Sequence, residues 1–131
     1  MIIQFDDDEN YFTVVDLICY DMGLSVKAHA SNIADTRQII ARIEQKQILP
    51  DIAIVSDYLG NNFEDGSKLA KKLKEIAPGL KVIAYVIDPE IDWGDYRALK
   101  SSKDESKNLI GLLERLTGKK FKDSNIPDPE E

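Results

Sequence analysis

Two acidic sites in the sequence each directly follow a short apolar run. The aspartate triplet 6–8 follows the run 2–5, and Asp57 follows the run 52–56. Runs of this kind are typical of buried parallel strands, whose carboxyl ends lie along one edge of a sheet, where ligands bind. We therefore expect the two acidic sites to share one pocket. Carboxylates held that close repel one another, so the pocket requires a cation.

Length and charge restrict the class of protein. The chain has 131 residues, of which 43% are hydrophobic, enough for one core and too few for two ordinary domains. Its formal net charge is -7. Affinity for nucleic acid comes mainly from Lys and Arg that neutralise phosphates, so we expect no nucleic-acid partner.

The sequence gives no sign of export or of membrane insertion. The start, Met-Ile-Ile-Gln-Phe, turns acidic without the basic segment and long apolar core of a signal peptide, and no apolar run approaches transmembrane length. We expect a cytoplasmic protein. The single cysteine, Cys19, lies among apolar residues and is interpreted as a core thiol without chemistry.

Strand-like and helix-like segments alternate along the chain, a pattern typical of an α/β fold with a parallel sheet. The period-two alternation at 24–30 predicts a strand exposed on one face, near a sheet edge. The wholly apolar run 52–55 predicts a central strand. Helical spacing of apolar residues predicts helices within 11–22, 36–43, 69–77 and 109–116; Asn32 is the candidate N-cap of the second, and Ser102 with Glu105 is predicted to open the last.

The segment after the fourth predicted strand is short. Only nine residues separate Ile87 from Arg97, whereas a parallel crossover with its helix takes a dozen or more. The fourth helix is therefore predicted to be short or absent, with at most one turn begun by Asp88 and Pro89. Trp93 in this connection is predicted to pack over the space of the missing helix, with anchoring of a partner as the alternative.

Taken together, four features resemble the receiver domain of two-component response regulators. They are Asp6-Asp7 after strand one, Val55-Ser56-Asp57 ending strand three, Asp65-Gly66 opening helix three, and Lys100 after the fifth strand. The resemblance covers about residues 1–117. It implies a flavodoxin-like, doubly wound fold, with helices on both faces of a five-stranded parallel sheet of order 2-1-3-4-5. We place the receiver-like domain at 1–118 and interpret 119–131 as an acidic, disordered tail.

The same resemblance implies a function. Asp57 would accept a phosphoryl group from a histidine kinase or phosphotransfer protein, and Mg²⁺ would be bound by Asp7, Asp57 and the Leu59 carbonyl, with Asp6 acting through water. Lys100 would stabilise the phosphoryl group electrostatically. This chemistry is sound, because a carboxylate attacks a phosphoryl group only when a hard cation screens the charge and aligns the oxygens.

Three positions depart from the family pattern. The segment Ala84-Tyr85-Val86-Ile87 lacks the Ser or Thr that usually ends strand four, and Arg97 replaces an aromatic residue three positions before the lysine. Ser101 replaces the proline that usually follows the lysine in a cis bond, which is costly for other residues. We expect an intact acidic pocket and a rebuilt output face.

Two other functions stay open. A phosphorylation-independent pseudo-receiver would act purely as a protein-interaction module, which the altered strand-four and strand-five positions favour. A small Mg²⁺-dependent phosphohydrolase would use Asp6 as nucleophile and Asp8 as acid. Since no effector domain follows the receiver-like region, we expect a stand-alone regulator whose output passes through an unidentified downstream protein.

Overall fold

A computed structural model describes residues 1–57 and 65–122. In these ranges, five parallel strands form one sheet of order 2-1-3-4-5, which confirms the predicted fold class. The strands are β1 (Ile2–Phe5), β2 (Val26–Ala30), β3 (Ile52–Val55), β4 (Lys81–Val86) and β5 (Tyr96–Leu99). Within the described ranges the helices are α1 (Asn10–Asp21), α2 (Ile33–Glu44), α3 (Gly66–Ile76) and α4 (Leu109–Thr117).

Helices cover both faces of the sheet and create two cores. Side chains alternate between the faces along each strand, so Ile2 of β1 contributes to one core and Ile3 to the other. The first core lies under α1 and α4, and the second lies under α2 and α3. Two of the three inner strands, β1 and β3, are buried along their whole length, whereas β2 at the sheet edge is partly exposed, as its alternating sequence predicts.

Polar side chains fix the starts of three helices. The side chain of Asn32 accepts a hydrogen bond from the Asp35 backbone at the start of α2, which confirms that prediction. Asp65 accepts from the Lys68 backbone at the start of α3, and Asn108 does the same for α4 through the Gly111 backbone.

The predicted start of the last helix was wrong. Helix α4 begins at Leu109, and the segment from Ser102 forms turns instead. There the Ser102 hydroxyl accepts from the Asp104 backbone, and the Asp104 carboxylate accepts from the Ser106 backbone. Short polar side chains that bind nearby backbone groups in this way favour turns over helix, so the capping-box spacing is not used.

The connection between β4 and β5 contains no helix, and all of its residues, 87–95, are described. The Asp88 carboxylate accepts a hydrogen bond from the Glu90 backbone, so a turn stands where a single helical turn was conceivable. Gly94 adopts a φ of 92°, which favours glycine. Trp93 is half-buried and packs on the second core. This agrees with the prediction that it packs over the space of the missing helix.

The chain remains in contact with the domain just after α4. Gly118 ends the helix in the left-handed conformation. Phe121 packs against the first core, and its backbone N–H donates to Glu114, while the Lys122 N–H donates to Asp21. The rest of the predicted tail, 123–131, lies outside the described residues. None of the described helices is both long enough and apolar enough to cross a membrane.

Candidate functional site

The sheet register brings the two acidic sites to one edge. Phe5 pairs with Val55 in the parallel β1–β3 ladder. The next residues along each strand, Asp6 and Ser56, therefore leave the sheet side by side, and Asp57 follows directly. Lys100 comes to the same edge from β5, where its backbone N–H donates to the Val86 carbonyl at 2.8 Å.

Asp6 and Lys100 form a buried ion pair. The Lys100 Nζ lies 2.8 Å from Asp6 Oδ2, and the two side chains are only 4% and 1% exposed, respectively. The other oxygen, Oδ1, accepts the backbone N–H of Asp8 at 3.0 Å. Both oxygens of Asp6 are thus already engaged by the protein.

Burial has an electrostatic cost at this site. It raises the pKa of Asp6 to about 6 from the ordinary 3.8, even though the positive charge of Lys100 acts in the opposite direction. The carboxyl group is therefore mainly ionised at pH 7 and becomes protonated in mildly acidic solution. Its ionised form depends on the neighbouring ammonium group.

Two tyrosines enclose the Lys100 ammonium. The ring centre of Tyr11 from α1 lies 4.1 Å from Nζ, and that of Tyr85 from β4 lies 5.6 Å away. The rings meet edge to face at an interplanar angle of 87°. An aromatic face attracts a cation, more strongly where water is excluded, so the tyrosines help to hold the lysine in place.

Asp57 lies beside this pair and is half-buried. Its Oδ1 is 3.4 Å from the Ser56 hydroxyl, which also lies 3.2 Å from Lys100 Nζ. The structure therefore brings Asp6, Asp57 and Lys100 together, as predicted.

The predicted metal ligands are only partly accounted for by described residues. Asp7 is exposed and Leu59 lies outside the described residues. In the described ranges, no group of three or more His, Cys, Asp or Glu side chains is placed to hold a metal ion. The donor chemistry nevertheless fits Mg²⁺, because Asp7 and Asp57 offer hard carboxylate oxygens at the ends of neighbouring strands. Asp6, with both oxygens engaged, is suited to act only through water.

Sequence reasoning did not find Ser56, Tyr11 or Tyr85. The tyrosines were interpreted only as parts of elements, and Ser56 only as a member of the motif that ends strand three, because periodicity marks a residue as buried without showing what it contacts. The alternation of side chains between the two faces of the sheet was an available signal, since positions 4, 6, 54 and 56 all face α1 and α4.

The end of β4 departs from the family pattern as predicted. Val86 is buried and Ile87 is 56% exposed, so an apolar side chain stands where a Ser or Thr hydroxyl is usual. Arg97 on β5 is exposed. The described peptide bonds are all trans, including the one between Lys100 and Ser101.

Comparison with solved structures identifies the fold. A CheY-like response regulator receiver domain protein from Methanospirillum hungatei JF-1 matches with a TM-score of 0.68 and 21% identity, covering 89% of this chain and 90% of that one. The N-terminal domain of a response regulator/sensory box/GGDEF protein from Carboxydothermus hydrogenoformans matches at 0.67 and 17%, covering 87% and 90%. A response regulator from Burkholderia pseudomallei matches at 0.64 and 18%, covering 80% and 62%.

These similarities show that the chain has the receiver-domain fold of response regulators, as its sequence resemblance predicts. No protein-family model matches the sequence, and no curated protein matches it closely. The identities are low, so the family's fold is shared while the residues of the site must be judged on their own geometry.

Proposed function

We propose that this chain is a receiver domain that accepts a phosphoryl group on Asp57 from a histidine kinase or phosphotransfer protein in a Mg²⁺-dependent reaction. The observation that carries the proposal is the buried ion pair between Asp6 and Lys100, 2.8 Å apart, beside the half-buried Asp57. A fixed positive charge next to an accessible carboxylate is what acyl phosphate formation requires from the protein.

Each residue has a defined role in this chemistry. An oxygen of Asp57 attacks the phosphorus of the donor, so an O–P bond forms while the bond to the donor's leaving group breaks. The Lys100 ammonium stabilises negative charge on the transferred group. Asp6 anchors that ammonium, and Tyr11 limits its movement. Asp7 and Asp57 would hold Mg²⁺. The ion would screen the negative charge of the carboxylates and the phosphoryl group, which Lys100 alone does not balance.

One of the structural relatives supports the choice of acceptor. The Burkholderia pseudomallei regulator was solved with a phosphorylated aspartic acid and a calcium ion. We extend this chemistry to Asp57 because it follows β3 at the carboxyl edge of an equivalent sheet. Signal output would then pass through binding of another cytoplasmic protein, by a shift toward the loop arrangement that the phosphoryl group favours.

The proposal is tested by treating the protein with Mg²⁺ and acetyl phosphate and measuring intact mass. We expect one added phosphoryl group that requires Mg²⁺ and is absent from Asp57→Asn. The variant Asp51→Asn is a matched control, because Asp51 is an exposed aspartate before the same strand. An adduct that persists in Asp57→Asn, or that Asp51→Asn removes, would contradict the assignment of the acceptor.

A phosphorylation-independent pseudo-receiver is the second candidate. Two observations favour it: Lys100 is already fully engaged by Asp6 and the tyrosines, and the end of β4 is apolar. If the folded protein binds Mg²⁺ but forms no adduct with acetyl phosphate or phosphoramidate, this candidate becomes the better one. The phosphohydrolase alternative is not favoured, since its nucleophile would be Asp6, which is 1% exposed and paired.

A further inference from the structure

The Ser56 hydroxyl lies between the two groups that the proposed reaction uses. Lys100 Nζ donates to Ser56 Oγ at 3.2 Å, and Ser56 Oγ donates to Asp57 Oδ1 at 3.4 Å. The direction of donation therefore runs from the ammonium through the hydroxyl to the carboxylate. In such a chain each hydrogen bond polarises the next.

The surroundings make this hydroxyl unusual. Ser56 is 2% exposed, and the Lys100 side chain is 4% exposed. A serine at the end of a central strand would ordinarily be replaceable by an apolar residue, and here its oxygen instead meets a buried charge. A polar contact inside a low-dielectric site is stronger than the same contact in water.

We propose that Ser56 is a positioning residue, which holds the Lys100 ammonium within reach of Asp57 and directs Asp57 Oδ1 toward the lysine. This inference rests on the proposed function and deepens it. Without the hydroxyl, the ion pair with Asp6 and the ring of Tyr11 would hold Lys100 on their own side of the site. The 3.4 Å bond is long at rest, as bonds at reactive sites often are before the reactants bind.

The position of Ser56 also supplies a hydroxyl to a site in which the end of β4 is apolar. Val86 and Ile87 provide no hydroxyl there, whereas Ser56 provides one directly after the neighbouring strand β3. Ser56 takes no part in bond making. The O–P bond forms at Asp57 and the donor bond breaks, while the serine proton stays on its oxygen.

The first test compares Ser56→Ala with Ser56→Thr, which restores a hydroxyl, and with Ser31→Ala, which removes a hydroxyl from the end of β2. The rate of adduct formation is measured by intact mass at fixed Mg²⁺ and acetyl phosphate. We expect Ser56→Ala to react about tenfold more slowly, from the loss of one hydrogen bond to a charged group. Ser56→Thr and Ser31→Ala should stay within about threefold of wild type.

The Mg²⁺ affinity of Ser56→Ala distinguishes loss of lysine positioning from general damage to the site. Trp93 is the chain's single tryptophan, and its indole lies against Gly66, which approaches the Ser56 carbonyl closely. Its fluorescence can therefore report on metal binding. A positioning role predicts an unchanged Mg²⁺ affinity in Ser56→Ala, and a disrupted site predicts a lower one. Ser56→Cys, with a weaker donor of similar size, serves if the alanine variant fails to fold.

A second readout does not depend on phosphoryl transfer. In protein labelled with ¹⁵N-lysine, the buried Lys100 ammonium should give a slowly exchanging signal that disappears in Lys100→Met. We expect this signal to exchange faster in Ser56→Ala and to recover in Ser56→Thr. An unchanged signal, or a wild-type reaction rate in Ser56→Ala, would overturn the positioning role. If wild type forms no adduct, the proposed function fails, and the ammonium signal alone still decides whether Ser56 positions Lys100.

Discussion

Two regions of the molecule are held together by different means. The acid edge, defined by Asp6, Ser56, Asp57 and Lys100, lies where strands end and is positioned by the backbone pairing of the sheet. The β4–β5 connection, residues 87–95, lacks regular structure and is held by side chains. The acid edge follows from the regular part of the sheet and the connection does not, although both lie next to β4.

Side chains of the connection replace what a helix would supply. The Asp95 backbone N–H donates to the Val82 carbonyl, and the Val82 N–H donates back to Asp95 Oδ2, each at 2.9 Å. The ladder between β4 and β5 thus begins with one backbone bond and one side-chain bond, both made by Asp95. Because this fixes where β5 starts, Lys100 reaches the acid edge without a preceding helix. The comparison shows that the strand register positions the lysine.

The largest expected effect concerns the acid edge and its dependence on pH. The pKa of Asp6 is about 6 in the folded protein and near 3.8 in the unfolded chain. Between these values the native state binds more protons, so the free energy of unfolding falls as pH rises through this window. The contribution of Asp6 should decrease by about 2 to 3 kcal/mol between pH 4 and pH 7.

Asp6→Asn isolates this contribution from that of the other acids. Urea unfolding in EDTA gives the free energy of unfolding of wild type and of Asp6→Asn at each pH. The wild-type value should fall by this amount across the window relative to the value for Asp6→Asn, which lacks the decrease. Parallel pH curves for the two proteins would mean that burial of Asp6 has no such cost.

The next effect tests the contact between the two regions. A Cβ added at Gly66 would clash with the Ser56 carbonyl oxygen and lie 2.6 Å from the Trp93 ring. The ring can move, but the backbone oxygen cannot move freely. We expect Gly66→Ala to lower the free energy of unfolding by about 2 kcal/mol, measured by urea unfolding with Trp93 fluorescence.

Gly79→Ala is the matched control, since a Cβ there meets nothing within 4 Å. Its stability should stay within about 0.5 kcal/mol of wild type. Equal stability of the two variants would show that Trp93 and the acid edge pack loosely. A loss confined to Gly66→Ala would show that Gly66 is closely packed against the Ser56 carbonyl and Trp93.

Sequence patterns predicted the burial of β1 and β3, the shared edge of the two acidic sites, and the missing helix. These depend on features that sequence expresses locally, namely apolar periodicity and connection length. The sheet order and the place of Lys100 were predicted from the resemblance to receiver domains. The start of α4 was predicted wrongly, because Ser102 and Asp104 bind nearby backbone more effectively than they cap a helix. The capping side chain is that of Asn108 instead.

The surroundings of Lys100 were beyond sequence reasoning for a different reason. Ser56 directly follows β3, Tyr11 lies in α1 and Tyr85 in β4, and they meet only because three elements pack together. No spacing along the chain encodes such a contact. The roles of Leu59 and of the tail 123–131 stay predictions, since both lie outside the described residues.

The smallest expected effect tests how the connection holds β5. Asp95 Oδ2 also lies 3.1 Å from Lys74 Nζ, and the same ammonium donates to the Leu80 carbonyl at 2.8 Å. The ion pair is partly exposed and contributes little, whereas the bond to the Val82 backbone is partly buried. Asp95→Ala should therefore lower the free energy of unfolding by about 1 kcal/mol, and Asp95→Asn, which keeps an acceptor oxygen, by about half of that.

Hydrogen exchange in Asp95→Ala tests whether the Asp95 side chain or the backbone pairing positions Lys100. In Asp95→Ala the Val82 amide should exchange faster, and the Lys100 amide, bonded to Val86 at the far end of the same ladder, should keep its protection if backbone pairing alone positions the lysine. Loss of protection at both amides would instead mean that the register of β5 depends on the Asp95 side chain. The acid edge would then owe its geometry to the connection, and the two regions would be one cooperative unit.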